Sequence, residues 1–380
     1  MNTKRISSVL LFLFCLSLLK GQVIESESAS IILNAENKDE VLKPEIHIVT
    51  PSFSEGTMYK TLNPRVELIG KIDNFKVPGS VIVRDEKTEI DKNGTFKIPV
   101  WLEPGINEVS IIAFDAKNTR IEKKIEMEYQ TPEVTLANKI RNESDYYGLI
   151  IAINNYNDRE IPQLDSPVPD AEKLKNVLIS KYFFDEKNII FLKDATRDEI
   201  VNALGQLRKR LRQNDNLLIF YAGHGYWSEN SNVGYWWPSD AQKNIWDKWL
   251  SNNTIVDYLK EIQTRHLLLI ADACFSGAIF TSRAVNLNRK ETKQELYELP
   301  SRKAMTSGSR TEVPDPSIFT RNLIEMLDNS QESVFTSEEL FNRIKVAVEG
   351  NADAVPIYGK IENADDKGGE FIFINNNRIK

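Results

Sequence analysis

Residues 217–227 read LLIFYAGHGYW: an apolar run of strand length ends in alanine and then sets a histidine between two glycines. Continuous apolar residues, without polar alternation, are what a strand buried on both faces looks like. Gly223 and Gly225 let the backbone turn and leave room for a peptide close to the His224 ring. The chain has only three histidines, so one placed at a strand end between glycines is expected to act on something.

A second run of the same kind, LLLIADACFSGAIF from Leu267 to Phe280, ends in Asp272, Ala273 and Cys274, with Gly277 allowing a sharp turn. Around these two runs the chain alternates. YYGLIIAI from Tyr146 reads as a buried strand and Pro169 to Ser180 as a helix. NIIFLKD follows as a strand, then a helix opened by Thr196 with Glu199 three residues on as a capping box. NLLIFYAG, TIVDYLKEIQ and HLLLIADA then read as strand, helix and strand. Strands alternating with helices imply an α/β fold, a mostly parallel sheet with helices on both faces in three layers. Reactive groups in such sheets sit at the carboxyl ends of the strands, where His224 and Cys274 both fall. A thiol becomes a useful nucleophile when a base stands near it.

At 380 residues, 41% hydrophobic and 27% charged, the chain is long enough for two globular domains. Lys and Arg number 48 against 55 Asp and Glu, a net charge of -7. No long basic run could track a phosphate backbone, so nucleic acid is not an expected partner. The chain begins MNTKRISSVLLFLFCLSLLKGQ. A basic start, an apolar run too short for a typical membrane span and small Gly21 before Gln22 predict a signal peptide over 1–21 and export to the periplasm or the extracellular space. Its alternative fate is an uncleaved anchor. Of the two cysteines, Cys15 and Cys274, only Cys274 would survive cleavage, which excludes an intramolecular disulfide.

Residues 22–43 are polar and acidic, as a flexible spacer would be. From 44 to 131 short alternating stretches (EIHIVTP, RVELIGKI, SVIVRDEKTEI, TFKIPVWL, NEVSIIAFDAK, RIEKKIEMEY) are separated by Asn63-Pro64, Pro78-Gly79, Asn93-Gly94 and Pro104-Gly105. Six or seven strands at that spacing make a small all-β sandwich, which resembles the immunoglobulin-like modules of exported bacterial proteins; its ligand is not specified by the residues. His47 alternates with Ile46 and Ile48 as a surface strand residue. Residues 132–145 read as a linker and 146–380 as the second domain.

That second domain resembles the caspase-type domain of clan CD cysteine peptidases, peptidase family C14, closest to the bacterial metacaspase-like group. The resemblance rests on GLIIAINNY, PVPDAEKL with Asp170, YAGHG, GYWWPSDA, DACFSG and SIFTRNLIEML in that order, with about fifty residues between His224 and Cys274. It implies a caspase-like fold and a cysteine-type endopeptidase in which Cys274 is the nucleophile and His224 protonates the leaving amine. The backbone N–H groups of Gly225 and Cys274 would receive the oxyanion. Asp272 stands where caspases have glutamine, two residues before the cysteine, and Asp170 matches a second acidic residue of metacaspases. Together they imply protein or peptide substrates cut after Arg or Lys, not after Asp. Ser307, or Ser309 with a small shift, would lie on the strand alongside the substrate backbone.

The resemblance implies no required cofactor and no metal in the site. Calcium, which some relatives need, stays open because DNS, NADAV and ENADDKGG offer carboxylates without the spacing of a known calcium loop. Arg283, Arg289, Lys290, Lys293, Arg302 and Lys303 mark either a solvated loop or a self-cleavage linker. His266 begins the Cys274 strand and so falls at the wrong end for catalysis. Trp227, Trp236, Trp237, Trp246 and Trp249 are expected to pack under a long loop, with one or two walling a peptide pocket. The competing function is a catalytically silent scaffold whose β-sandwich mediates adhesion or partner recognition, and transpeptidation would use the same dyad. Oligomeric state is not legible.

Overall fold

In the computed structural model, residues 43–52, 54, 56–273, 291–308, 314–349 and 355–379 are described. Cys15, the signal peptide, nearly all of the spacer, Cys274, Arg283, Arg289, Lys290 and Ser309 lie outside them.

The first part is all β: β1 (Glu45–Thr50), β2 (Tyr59–Thr61), β3 (Arg65–Asp73), β4 (Gly79–Val83), β5 (Glu86–Ile90), β6 (Thr95–Trp101), β7 (Gly105–Asp115) and β8 (Arg120–Tyr129). They form a sheet in the order β1-β3-β6 and another in the order β2-β8-β7-β4-β5. One apolar core takes residues from both sheets, Leu68 and Ile98 from the smaller and Val81, Ile111 and Met127 from the larger. Period-2 alternation is what lets each strand bury one face. SVIVRDEKTEI, expected as one strand, is the hairpin β4–β5, turned at Arg84 with φ of 53°. Asn93-Gly94, a dipeptide that commonly closes hairpins, turns the chain with Gly94 at φ 82° but hands it from one sheet to the other.

The second part begins with α1 (Pro132–Glu143), where a linker was expected; Thr131 caps it and Leu136, Ala137 and Ile140 pack into the core that follows. Then come β9 (Tyr146–Ala152), α2 (Pro167–Lys181), β10 (Phe184–Lys193), α3 (Arg197–Arg210), β11 (Asn216–Ala222), β12 (Gly225–Ser228), β13 (Val233–Trp236), β14 (Leu250–Ser251), α4 (Asn252–Glu261) and β15 (His266–Asp272). After the undescribed stretch follow α5 (Lys293–Glu298), β16 (Ser301–Thr306), α6 (Ile318–Asp328), β17 (Val334–Thr336), α7 (Ser337–Glu349), β18 (Ile357–Lys360) and β19 (Ile372–Ile374).

Six strands form one sheet in the order β10-β9-β11-β15-β16-β18, parallel except for β18. Every residue of β9, β11 and β15 is buried, because one core lies on each face of the sheet. The capping box at Thr196 and Glu199 forms as expected and starts α3. The chain thus has a three-layer α/β/α domain that follows a small β module in sequence. Among the described residues no helix is long and apolar enough to cross a membrane.

Candidate active site

Ala152, Ala222 and Asp272 stand level in the register of β9, β11 and β15, so the three strands finish side by side at one edge. The next residues of β11 are Gly223 and His224. A Cβ at Gly223 would come 3.0 Å from the Tyr156 hydroxyl and 3.1 Å from that of Tyr221, so a larger residue there would press on both phenols.

Both phenols hold His224. Its N–H donates to the Tyr156 hydroxyl at 2.7 Å, and its carbonyl accepts from the Tyr221 hydroxyl at 2.7 Å and from the Trp237 N–H at 3.2 Å. The imidazole Nε2 lies 2.9 Å from the carbonyl oxygen of Pro162. A carbonyl can only accept, so this bond puts the proton on Nε2 and assigns proton exchange to Nδ1. Gln163 fixes the loop that carries these partners: its side-chain oxygen accepts the Tyr156 N–H at 2.8 Å and its amide donates to the Tyr156 carbonyl at 3.1 Å.

Asp272 closes β15 and is 5% exposed. Its Oδ2 accepts from the Thr320 hydroxyl. Burial raises the carboxyl above the usual carboxylate range, and Asp170 adds to this, while the Thr320, Ser317 and Ser307 hydroxyls favour the charged form. Even so, among the described residues Oδ1 and the Ser307 hydroxyl, both buried, have no partner in hydrogen-bond geometry, so a buried acceptor stands unfilled there. Asp170, in the first turn of α2, has a side chain 14% exposed and an ion pair of 2.9 Å with Lys173.

His224, Asp170 and Asp272 line one cleft of about 410 Å³, together with Pro162, Ser317 and Thr320. Asp315 lines it too, and no Lys or Arg stands among its described lining residues. The size suits a side chain or small ligand, and the charge suits a cation.

Sequence reasoning missed Asp315, whose carboxylate accepts the N–H groups of Asp165 and Ser166 ahead of α2. It also missed the Pro162 carbonyl, Tyr156 and Gln163. A main-chain oxygen leaves no mark in a sequence, whereas Asp315 stands in the PDP triplet just before SIFTRNLIEML and was readable there. Ser307 is not on the cleft wall: it is 1% exposed and its N–H bonds the Ala271 carbonyl at 3.1 Å, beside Asp272. Gly225 opens β12 opposite Trp236.

His266 is fully buried at the start of β15, between the Ser301 hydroxyl at 2.9 Å and the Tyr297 carbonyl at 3.0 Å. Desolvation pushes its pKa down to about 3, so it is a neutral structural residue, away from the cleft. His47 is exposed on β1, 3.5 Å from an Asp73 oxygen. Arg302 and Lys303 cannot belong to a cleavable linker in the folded chain, since both lie in β16; Lys303 is 3% exposed and pairs with Glu370 at 3.1 Å. Lys293 bonds the Val334 carbonyl at 2.7 Å from α5. Trp236 and Trp249 are buried as expected, whereas Trp246 is 46% exposed. No group of three or more His, Cys, Asp or Glu converges to hold a metal among the described residues.

Residues 147–364 match the family model of the caspase domain. Metacaspase-1 of Eremothecium gossypii is 27% identical over 144 residues, 34% of this chain and 31% of its own length. Human mucosa-associated lymphoid tissue lymphoma translocation protein 1 is 30% identical over 125 residues, 33% of this chain and 14% of its own. The matches thus span less than a third of either relative. Among solved structures, caspase-1 of Spodoptera frugiperda superposes with a TM-score of 0.42 at 12% identity, over 58% of this chain and 87% of that one.

Proposed function

The chain belongs to the caspase-domain peptidase family, and on that premise we propose that it is an exported cysteine endopeptidase that cuts after Arg or Lys through Cys274 and His224. The observation that supports the specificity is the cleft itself, which is lined by Asp170, Asp272, Asp315 and His224 with no basic residue among its described lining. A buried carboxylate oxygen without a partner favours a guanidinium or ammonium there and disfavours an acidic side chain.

The Cys274 sulfur, as thiolate, adds to the carbonyl carbon of the residue held in the cleft. The C–N bond then breaks while the imidazolium of His224 gives its proton to the departing amine, leaving a thioester. His224 next takes a proton from water, the water oxygen bonds the thioester carbon, and the C–S bond breaks to release the carboxylic acid, leaving the Cys274 thiolate and the His224 imidazolium as at the start. The Gly225 and Cys274 N–H groups are assigned to the oxyanion. The Pro162 carbonyl and the Tyr156 hydroxyl hold the imidazole in one orientation through both steps. The N-terminal leader is assigned to export, and the β module to binding a partner as an immunoglobulin-like domain.

The test is hydrolysis of matched peptides with Arg, Lys or Asp before the cut, with and without calcium, by wild type and Cys274→Ala. Arg and Lys peptides should be cut and the activity should vanish in the variant. Preferred cleavage after Asp would overturn the roles of Asp170 and Asp272.

A further inference from the structure

One feature of the sequence is not absorbed by the peptidase chemistry: the aromatic residues that follow the histidine. Tyr226 in β12, Trp237 just after β13, and Trp246 and Trp249 ahead of β14 form a band of touching rings. The Trp237 ring stands edge-on to His224 with centroids 6.1 Å apart. Tyr226 lies parallel to Trp237 at 6.5 Å and reaches Trp246 at 6.0 Å, while Trp249 beneath contacts all three at 5.1 to 5.5 Å. The outer members are open to solvent: Tyr226 is 37% exposed, Trp246 46% and the adjoining Ile245 44%. Large aromatic rings left at a surface, over a buried aromatic base, mark a contact site rather than core.

The band's place relative to the cleft selects its occupant. His224 lines the cleft, but Trp237, Tyr226 and Trp246 do not. The side chain before the cut occupies the cleft, and the amine released by the cut must lie within hydrogen-bond reach of the imidazole. The substrate therefore leaves the cleft past His224, where Trp237 begins the band. Resting on the peptidase reading above, we infer that this band is a substrate subsite for the residues that follow the scissile bond, and that it selects aromatic or large apolar side chains there. Rings from the substrate would stack offset or edge-on against Tyr226 and Trp246, which are already exposed and held by Trp249.

The experiment uses internally quenched peptides with Arg before the cut and Phe, Leu, Gly or Asp after it, the two products being measured by mass spectrometry. For wild type, kcat/KM with Phe should exceed that with Gly by about fivefold to tenfold, with Leu between them and Asp lowest. In Trp246→Ala and in Tyr226→Ala, measured separately so that either can stand if the other folds poorly, the ratio of Phe to Gly should fall towards one. Cleavage of all four peptides at equal efficiency by wild type, or a ratio unchanged in both variants, would overturn the subsite and leave the peptidase standing. Failure to cut any peptide of the series would overturn both.

Discussion

If Asp272 receives the substrate's cation as proposed, specificity and stability oppose each other there. Its carboxyl is buried at the end of β15 with one oxygen unfilled, and burial raises its pKa above the ordinary carboxylate value. An acid raised in the folded state binds more protons there than in the unfolded chain. Its contribution therefore lowers stability as the pH climbs from the ordinary value of about 3.9 through the folded pKa, and the cost is fully present above that. Asp272→Asn removes the charge and nearly keeps the shape. We expect the variant to melt a few degrees higher at neutral pH while losing about a hundredfold or more in kcat/KM on Arg peptides, mostly through KM. In wild type, KM for Arg peptides should rise on acidification through the folded pKa of Asp272, at higher pH than a free aspartate would show. A thermal scan and a pH series of KM check both; a variant that melts lower and binds Arg equally well would show that Asp272 is merely structural.

At the scale of elements, the loop between β9 and α2 sets the imidazole. Two of its groups, the Tyr156 hydroxyl and the Pro162 carbonyl, bond His224, and the Gln163 amide closes on the main chain of Tyr156 in both directions. A protonated carboxylic acid reproduces that donor and acceptor pair, but a carboxylate does not. Gln163→Glu should therefore be pH-conditional: at neutral pH kcat falls about tenfold, as in Gln163→Ala, with KM little changed. As the pH drops and the glutamate protonates, the Glu variant should recover relative to the Ala variant. Parallel pH profiles for the two would remove Gln163 from the positioning of His224.

The same loop shows where sequence reading stops. A peptide was the expected neighbour, whereas the groups that come close to Gly223 are the Tyr156 and Tyr221 hydroxyls. Gly223 and His224 were legible as a glycine-flanked strand end. Their partners were not, since Pro162 acts through its main chain and Gln163 through a local pairing that no periodicity encodes. SVIVRDEKTEI looked like one strand because its apolar alternation hides a turn made by Arg84 at positive φ, without glycine. The helix over 132–143 was passed over for a related reason: its apolar face is only Leu136, Ala137 and Ile140, too narrow to stand out from a linker.

For the whole molecule, the strongest sequence signal was burial. Strands apolar on both faces demanded two covering layers, and the two cores that flank the six-stranded sheet meet that demand. Charge was the weaker guide. Arg302 and Lys303 read as loop residues, yet they are integrated into β16, where Lys303 is neutralised by Glu370 inside the fold. Asp170, Asp272 and Asp315, the first and last of them 145 residues apart, line one cleft because α2, β15 and the segment before α6 meet at one edge of the sheet.

Covalent capture tests most directly whether Cys274, His224 and the acidic cleft act as one site. Wild type, His224→Ala and Asp272→Asn would be exposed to peptidyl fluoromethyl ketones bearing Arg or Asp, and each adduct would be located by mass spectrometry of the digested protein. The expected result is one adduct on Cys274 from the Arg reagent in wild type, formed much more slowly in both variants and outpacing the Asp reagent by at least about tenfold. Equal labelling by the two reagents, or rates unaffected by loss of His224, would contradict it.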